Sequence, residues 1–526
     1  MNNKSDDVNN YAAALNIDKR EWPLVLKSAL IGAVSGGVVT CYRYVLTRAE
    51  DFSLSMYDFL RLYPARLPFW IAAVLAMALF AGWLSSRCEM IGGSGIPQVK
   101  GIILGYFKDT WFSTLIAKFV GGVAAITAGL SLGREGPSIQ LGACVAEGTG
   151  NLLAKSRTER KILIAGGASA GLAAAFNAPL AGVVFAFEEI FRYLSPPILL
   201  STTVAAVVAD YISKLFVGTR SVFSFPVAEA LPLSSYWILI LMGVMTGLAG
   251  AFYNMVLVWA QRSYGRLWQS PKSKILKPIP IFLLAVAVGL AFPAALCGGH
   301  AILGQLDMNK GVAFFAALLA IKFLFSVVSF SSGAPGGIFF PLLILGAILG
   351  GIFWKITDML SVCGGEFFSN FIILAMAGLF TSIVRAPITG IVLLIEMTGS
   401  FSYLLSLTIV SITSYVVANT TKVPPIYDSL LDNMTAGRGT ASGESNKRVM
   451  IDIAVHHGAE FEGAYIRELQ LPSQCLIVAL RRGDKNFTPH GDTRIMANDF
   501  LTVMCDAEAE AEIHELLKEF FEDPLS

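Results

Sequence analysis

Apolar stretches of about 20 residues, the length that crosses the hydrocarbon core of a bilayer as a helix, recur through most of the chain. They occupy 22–44, 68–85, 111–130, 236–260 and 275–296. Two further regions, 133 to about 213 and 312 to about 419, are equally apolar but broken by Gly and Pro at short intervals. Such residues stop a helix from running on, so these regions predict short, tilted or half-crossing helices in place of clean spans. After Asn419 the pattern changes. Residues 435–447 (TAGRGTASGESNK) are small and polar, a flexible linker by composition. Beyond it, 449–455, 475–481 and 500–504 alternate between Gly, Pro and Asp turns, and 508–521 reads as an acidic amphipathic helix. The predicted fold class is an all-α polytopic membrane protein at 22–434 and a small cytoplasmic α+β domain at 448–526. Residues 1–21 are polar and lack the apolar core of a secretory signal, so they are expected to stay on the cytoplasmic side.

Composition agrees with this pattern. Of 526 residues 55% are hydrophobic and 15% charged, with a mean hydropathy of +0.63, far from the roughly 25% charged of a soluble domain. A net charge of +1 with no basic stripe argues against nucleic-acid binding. Basic residues gather instead in the short loops 155–161 and 262–277, candidates for the cytoplasmic face. The seven cysteines are scattered singly, with neither a C-x-x-C nor a histidine at metal-ligand spacing, and read as packing residues.

The two broken regions are related. Gly133, Pro137, Leu141, Gly142 and Ala143 recur 204 residues later as Gly337, Pro341, Leu345, Gly346 and Ala347, which sets Glu135 opposite Phe339. A second match at an offset of 208 pairs Ala178-Pro179, Gly182 and Glu188 with Ala386-Pro387, Gly390 and Glu396. The halves run from about 22 to 215 and from 236 to 419. Interrupted apolar segments at corresponding positions of two halves point to a transport site built between repeats.

Within Gly133-Arg134-Glu135-Gly136-Pro137, Glu135 is a carboxylate among apolar segments, where charge is costly and marks a partner or an aqueous path. An ion pair with the adjacent Arg134 is the structural alternative, disfavoured because sequence neighbours on a helix do not face each other. Three glycine-flanked stretches precede helical patterns: Gly92 to Pro97, the Glu135 motif, and Gly336 to Pro341. Each offers free backbone N–H groups at a helix start, which attract anions without a full positive charge. A site of amides and hydroxyls binds an ion weakly enough to release it. Ser94 and Tyr427 are the hydroxyl candidates; a packing role for the serine and an interfacial one for the tyrosine remain open.

The stretches G-S-G-I-P, G-R-E-G-P and G-G-I-F-F-P in this order, with A-F-N-A-P-L-A-G at 175–182 and Ile426-Tyr427, resemble the CLC family of chloride channels and chloride/proton antiporters. The resemblance implies an inverted repeat of broken and tilted helices that forms a homodimer, with one anion path per subunit. It implies that Ser94 and Tyr427 contact the anion through hydroxyls and Ile338 and Phe339 through amides, with Glu135 as the gating carboxylate. Antiporters of the family carry a second, inward-side glutamate, matched here by Glu189. The expected function is therefore chloride/proton exchange across the cytoplasmic membrane, with both termini cytoplasmic; a passive voltage- or pH-gated channel is the alternative. Gln98 and Lys100 stand where some antiporters of the family carry acidic residues, and a solvated helix end is the alternative for Glu188 and Glu189. Serine at position 94 goes with chloride in preference to nitrate. No cofactor is implied.

At the C-terminus Leu469, Pro472, the run 477–483, Pro489, Gly491-Asp492-Thr493 and Asp499 resemble the TrkA-C (RCK C-terminal) domain. That resemblance implies a dimeric regulatory module at 448–526 with a small ligand, in some relatives a cyclic dinucleotide; an appendage that only stabilises a dimer is the alternative. A rival of another class is an intramembrane enzyme. Gly167-Ala168-Ser169-Ala170-Gly171 matches G-x-S-x-G, but that motif needs a strand-to-helix elbow and a histidine partner, and the membrane portion holds only His300.

Overall fold

A computed structural model describes residues 21–108, 110–192, 195–219, 231–268, 270–360, 364–435, 448–472, 474–483, 485–506 and 509–521. The expected cytoplasmic segment through residue 20, the linker from 436 to 447 and Cys363 lie outside the described residues. The chain divides into a large unit (Met1–Val99, Thr110–Ala154, Ile162–Leu430) and a smaller one (Lys100–Asp109, Lys155–Lys161, Leu431–Ser526).

The large unit is helical, and eight helical segments among the described residues are long and apolar enough to cross a bilayer. The expected run 22–44 continues as one helix, Glu21–Leu62. Residues 45–62 contain no Gly or Pro, and Leu46, Ala49, Tyr57 and Leu60 bury one face of the extension. The run 275–296 is shorter than expected, Ile279–Ala291, because Phe292 precedes Pro293 and leaves the helical region.

The two broken regions depart from the expected half-crossing pieces. Pro196–Val217, Val312–Ser331, Phe339–Met359 and Phe368–Val384 are helices of 17 to 22 residues, and only a few, such as Pro179–Phe185 and Pro387–Thr398, are short. The prolines sit in the first turn of their helices, where the missing N–H costs nothing. Interior glycines serve packing. A Cβ on Gly142 would lie 2.1 Å from the Gly167 carbonyl oxygen and one on Gly167 2.3 Å from that of Gly142, so these helices touch backbone to backbone. The segment Gly365–Val384 is 89% buried within protein, whereas Pro64–Arg87 is 28% buried and presents Phe69 and Trp83 outward, as a lipid-facing helix must.

The sequence repeat is a repeat in space. Gly133 and Gly337 pair as an isolated antiparallel bridge, each N–H donating to the other's carbonyl at 2.6 and 2.7 Å. Buried Lys118 donates to the Ile91 and Gly93 carbonyls at 2.8 and 2.7 Å, while Lys322, 204 residues on, donates to the corresponding carbonyls of Ala295 and Cys297 at 2.9 and 3.0 Å. The second offset is just as regular. Glu396 accepts the amides of Leu180 and Ala181 at 3.1 and 2.8 Å, and Glu188 accepts those of Ile388 and Thr389 at 3.0 and 2.6 Å. Each half thus supplies the carboxylate that caps the proline-started helix of the other, satisfying orphan donors and opposing the helix dipole.

In the smaller unit four antiparallel strands, β1 (Arg448–Ala454), β2 (Cys475–Arg482), β3 (Lys485–Phe487) and β4 (Asp499–Asp506), lie in the order β1-β4-β2-β3. Alternate residues Leu501, Val503 and Cys505 face Ile513, Leu517 and Phe521 of the helix Glu510–Phe521 in one core. Arg482 grips fully buried Asp499 at 2.7 and 2.8 Å.

Removing one cross-repeat cap is expected to cost about 1–2 kcal/mol, the usual worth of a helix cap. Glu396→Ala should lower the thermal midpoint of detergent-solubilised protein by a few degrees relative to Glu396→Gln, which keeps one acceptor oxygen.

Candidate anion site

The three glycine-flanked stretches converge. Gly336 N–H donates to the Gly93 carbonyl at 3.0 Å, Gly93 bridges Pro335, and Gly133 bridges Gly337. Helices start immediately after each of them, at Ile96, Glu135 and Phe339. Their unpaired amides therefore gather in one buried place. Gly95 makes the first turn possible: its φ is +102°, and a Cβ there would stand 2.6 Å from Gln140 Oε1.

Ser94 and Tyr427 are brought side by side, 2% and 0% exposed, and apart from each other neither hydroxyl has a hydrogen-bond partner. Buried hydroxyls normally find one, so the pair fits a ligand that accepts from both. Tyr427 lies in the first turn of helix Ile426–Thr435 and is fully buried. Ile338 and Phe339 precede the first intrahelical bond of their helix, Leu342 N–H to the Ile338 carbonyl at 3.0 Å. The Phe339 ring packs between Phe176 and Phe380, with centroids 5.3 and 4.7 Å away.

Glu135 is wholly buried, and neither carboxylate oxygen closes a hydrogen bond. The carboxylate leans towards Phe340: Glu135 Oε2 and the Phe340 amide nitrogen lie 2.5 and 3.2 Å from where a Cβ on Gly133 would be. It stands at the start of the helix that carries Ile338 and Phe339, where an anion would also go. Contrary to expectation, Arg134 and Glu135 approach each other. Arg134 is the cap residue ahead of the helix and not part of its regular face, and its Nε comes to 3.9 Å from Glu135 Oε1. That is too long for a hydrogen bond, and Arg134 Nη1 is engaged by Thr47 Oγ1 at 3.1 Å.

Glu189 is 1% exposed in the π-helical segment Ala186–Phe191, and Glu188 caps the other repeat, so the pair is no solvated helix end. The segment closes at Arg192, whose guanidinium pairs with Asp428, the residue after Tyr427. Tyr427 has both Glu189 and Glu135 among its charged neighbours. Gln98 donates to the Gly92 carbonyl at 2.5 Å, and Lys100 is buried, 4% exposed. Ser169 lies inside helix Arg157–Phe176, so the strand-to-helix elbow of a serine hydrolase is not formed there. Sequence reasoning passed over Lys118, Lys322 and the capping by Glu188 and Glu396; the offsets of 204 and 208 could have found them.

A model of the voltage-gated chloride channel family matches residues 77–419. The chain belongs to the CLC family. A TrkA-C domain model matches 450–518. The chain is 33% identical over 432 residues to the H(+)/Cl(-) exchange transporter ClcA of Vibrio cholerae, covering 79% of this chain and 91% of that protein. It is 32% identical to the Vibrio parahaemolyticus ClcA, covering 78% and 89%. Among solved structures, that of a slow cyanobacterial Cl-/H+ antiporter matches with a TM-score of 0.74 at 28% identity, covering 79% of this chain and 99% of that one. The CLC chain described here is thus a multi-pass membrane protein whose relatives are exchangers.

Since the Tyr427 hydroxyl has no hydrogen-bond partner in the protein other than the Ser94 hydroxyl, Tyr427→Phe is expected to change stability in chloride-free buffer by no more than about 1 kcal/mol. It should weaken chloride binding, measured by calorimetry, about tenfold, the worth of a hydrogen bond to a charged group.

Proposed function

We propose that this CLC protein is a chloride/proton antiporter of the cytoplasmic membrane. Ser94, Tyr427 and the amides of Ile338 and Phe339 hold the anion, Glu135 is the gate, and Glu189 passes protons on the inner side. One observation carries this reading. The unsatisfied Glu135 carboxylate shares a helix start with the candidate anion amides. An ionised carboxylate there competes with the transported ion, and a protonated one withdraws, so its charge answers to both pH and anion occupancy. Buried Glu189, which like Glu135 is a charged neighbour of Tyr427, supplies a second proton-carrying group. The names of the exchanger relatives support chloride and protons as cargo.

The working unit is a homodimer with a path in each subunit, and the basic loops 155–161 and 262–277 favour cytoplasmic termini. The domains run 22–434, 435–447 and 448–526, with two transmembrane halves at about 22–215 and 236–419. The C-terminal domain is a dimeric regulatory module for a small ligand such as a cyclic dinucleotide, a reading supported by the TrkA-C match.

In liposomes a chloride gradient should drive protons uphill. Glu189→Val is expected to keep chloride flux while proton movement drops to background, and Glu135→Ala to make chloride flux insensitive to pH. Chloride flux without any pH change in the wild type would leave a passive channel. For the C-terminal domain, a cyclic dinucleotide at about 100 times its Kd should raise the unfolding temperature of the full chain by a few degrees; no shift across a nucleotide panel leaves a dimer-stabilising appendage.

A further inference from the structure

The loop that carries Ser94 has a counterpart in the second half. Ile91, Gly93, Gly95 and Ile96 correspond at the offset of 204 to Ala295, Cys297, Gly299 and His300. The two loops share their construction. Lys118 and Lys322 fix equivalent carbonyls, and Gly95 and Gly299 hold φ of +102° and +94°. Where the first loop turns Ser94 towards Tyr427, the second turns His300 towards a different set of groups. His300 Nδ1 lies 3.4 Å from Glu50 Oε1, and the imidazole stacks on Phe340 with centroids 3.9 Å apart. Phe340 is the residue whose amide Glu135 approaches.

A small cavity joins these groups, lined by Glu50, Arg134, Glu135, Gly298, His300 and Phe340 among others. Exposure falls inward along it: the side chain of His300 is 36% exposed, Glu50 16%, Arg134 13% and Glu135 0%. Among the described residues the other ionisable groups near this cluster include Lys322 and Cys297 beside Glu50, Tyr42 and Arg43 beside the Arg134–Glu135 pair, and Tyr427 beside Glu135. The long helix Glu21–Leu62 sets the level. Leu24 packs with Leu163, next to the basic loop 155–161, Thr47 receives Arg134, and Glu50 meets His300. Glu50 is therefore about 39 Å along the helix from Leu24 at 1.5 Å per residue, towards the opposite membrane face from Leu24 and Leu163.

We propose that Glu50 and His300 form an outer proton relay, through which protons pass between the solution on that face and Glu135. The inference rests on the antiport reading. The step is a proton transfer only: His300 takes a proton from water, Glu50 accepts it or passes it through cavity water, Glu135 receives it, and each donor regains its own proton from the solvent side. Glu50 also holds the imidazole ring in place, which the stack on Phe340 alone does not do.

The test uses purified full-length protein in liposomes, with His300→Gln and Glu50→Gln as substitutions that remove titration and keep hydrogen bonding. Against a wild type that couples protons to chloride, each variant is expected to slow coupled exchange at least about tenfold when the pH on the Glu50 side is above 7, within the range of general acid–base effects. The dependence of the coupled rate on the pH of that side should differ in shape from the wild type in each variant. Chloride affinity by calorimetry should stay unchanged, which separates a relay from a distorted fold. In the Glu135→Gln background, where no proton needs delivery, adding His300→Gln should change chloride flux by less than about twofold, because linked groups act non-additively. Coupled exchange with wild-type rate and pH profile in both variants overturns the relay while leaving antiport intact. A wild type that moves no protons overturns both, and an equal loss in the Glu135→Gln background overturns the relay in favour of a structural role.

Discussion

The antiparallel pair of hydrogen bonds between Gly133 and Gly337 is the constraint on which the site depends. A two-residue bridge is a small amount of sheet, and in a soluble protein it would contribute little. Here it lies at the centre of a helical protein, where backbone groups have no water to turn to and must find each other. The bridge fixes the two halves at a place where their chains both leave a helix and begin another. The helix starts at Glu135 and Phe339 are the free amide ends that this meeting leaves over. Glycine at 133 leaves room for the Glu135 carboxylate and Pro341, and glycine at 337 faces Gly136 and Pro137.

The distribution of charge follows from the same constraint. An anion path needs positive potential, yet a free ammonium would trap its ion. The fully buried Lys118 and Lys322 spend two hydrogen bonds each on backbone carbonyls, and Arg134 is drawn aside to Thr47. Under the proposed reading, what remains for an anion is a set of amides and two hydroxyls. The lysines thereby build the loops while keeping their charge off the path.

Much of this was legible in the chain, for identifiable reasons. The offset pairing of Gly133 with Gly337 named two residues that are hydrogen-bonded in space, because pseudo-symmetric halves meet on their axis. The helix starts beside Ser94, Glu135 and Phe339 were readable from helix breakers followed by apolar periodicity. Helix lengths in the interrupted regions were misjudged, since Pro marks a helix start as readily as a break and Gly marks a close contact as readily as a bend. Arg134 was misplaced because a spacing rule for regular helix was applied to a residue at its cap. Glu50 and His300 carried no local signal. They lie 250 positions apart, and nothing short of the folded repeat brings a residue of the first long helix to a loop of the second half.

The exchange of caps between Glu188 and Glu396 bears on how such a chain is made. When the ribosome has finished the first half, helix Pro179–Phe185 has exposed amides with no carboxylate for them, and Glu188 has a carboxylate with no amides. Both needs are met only after some 200 further residues have been synthesised. The first half therefore waits in the membrane as an incomplete piece whose missing parts are its own likeness in reverse. Completion is a single event for both halves, since the segment that delivers Ile388 and Thr389 to Glu188 also carries Glu396 to Leu180 and Ala181.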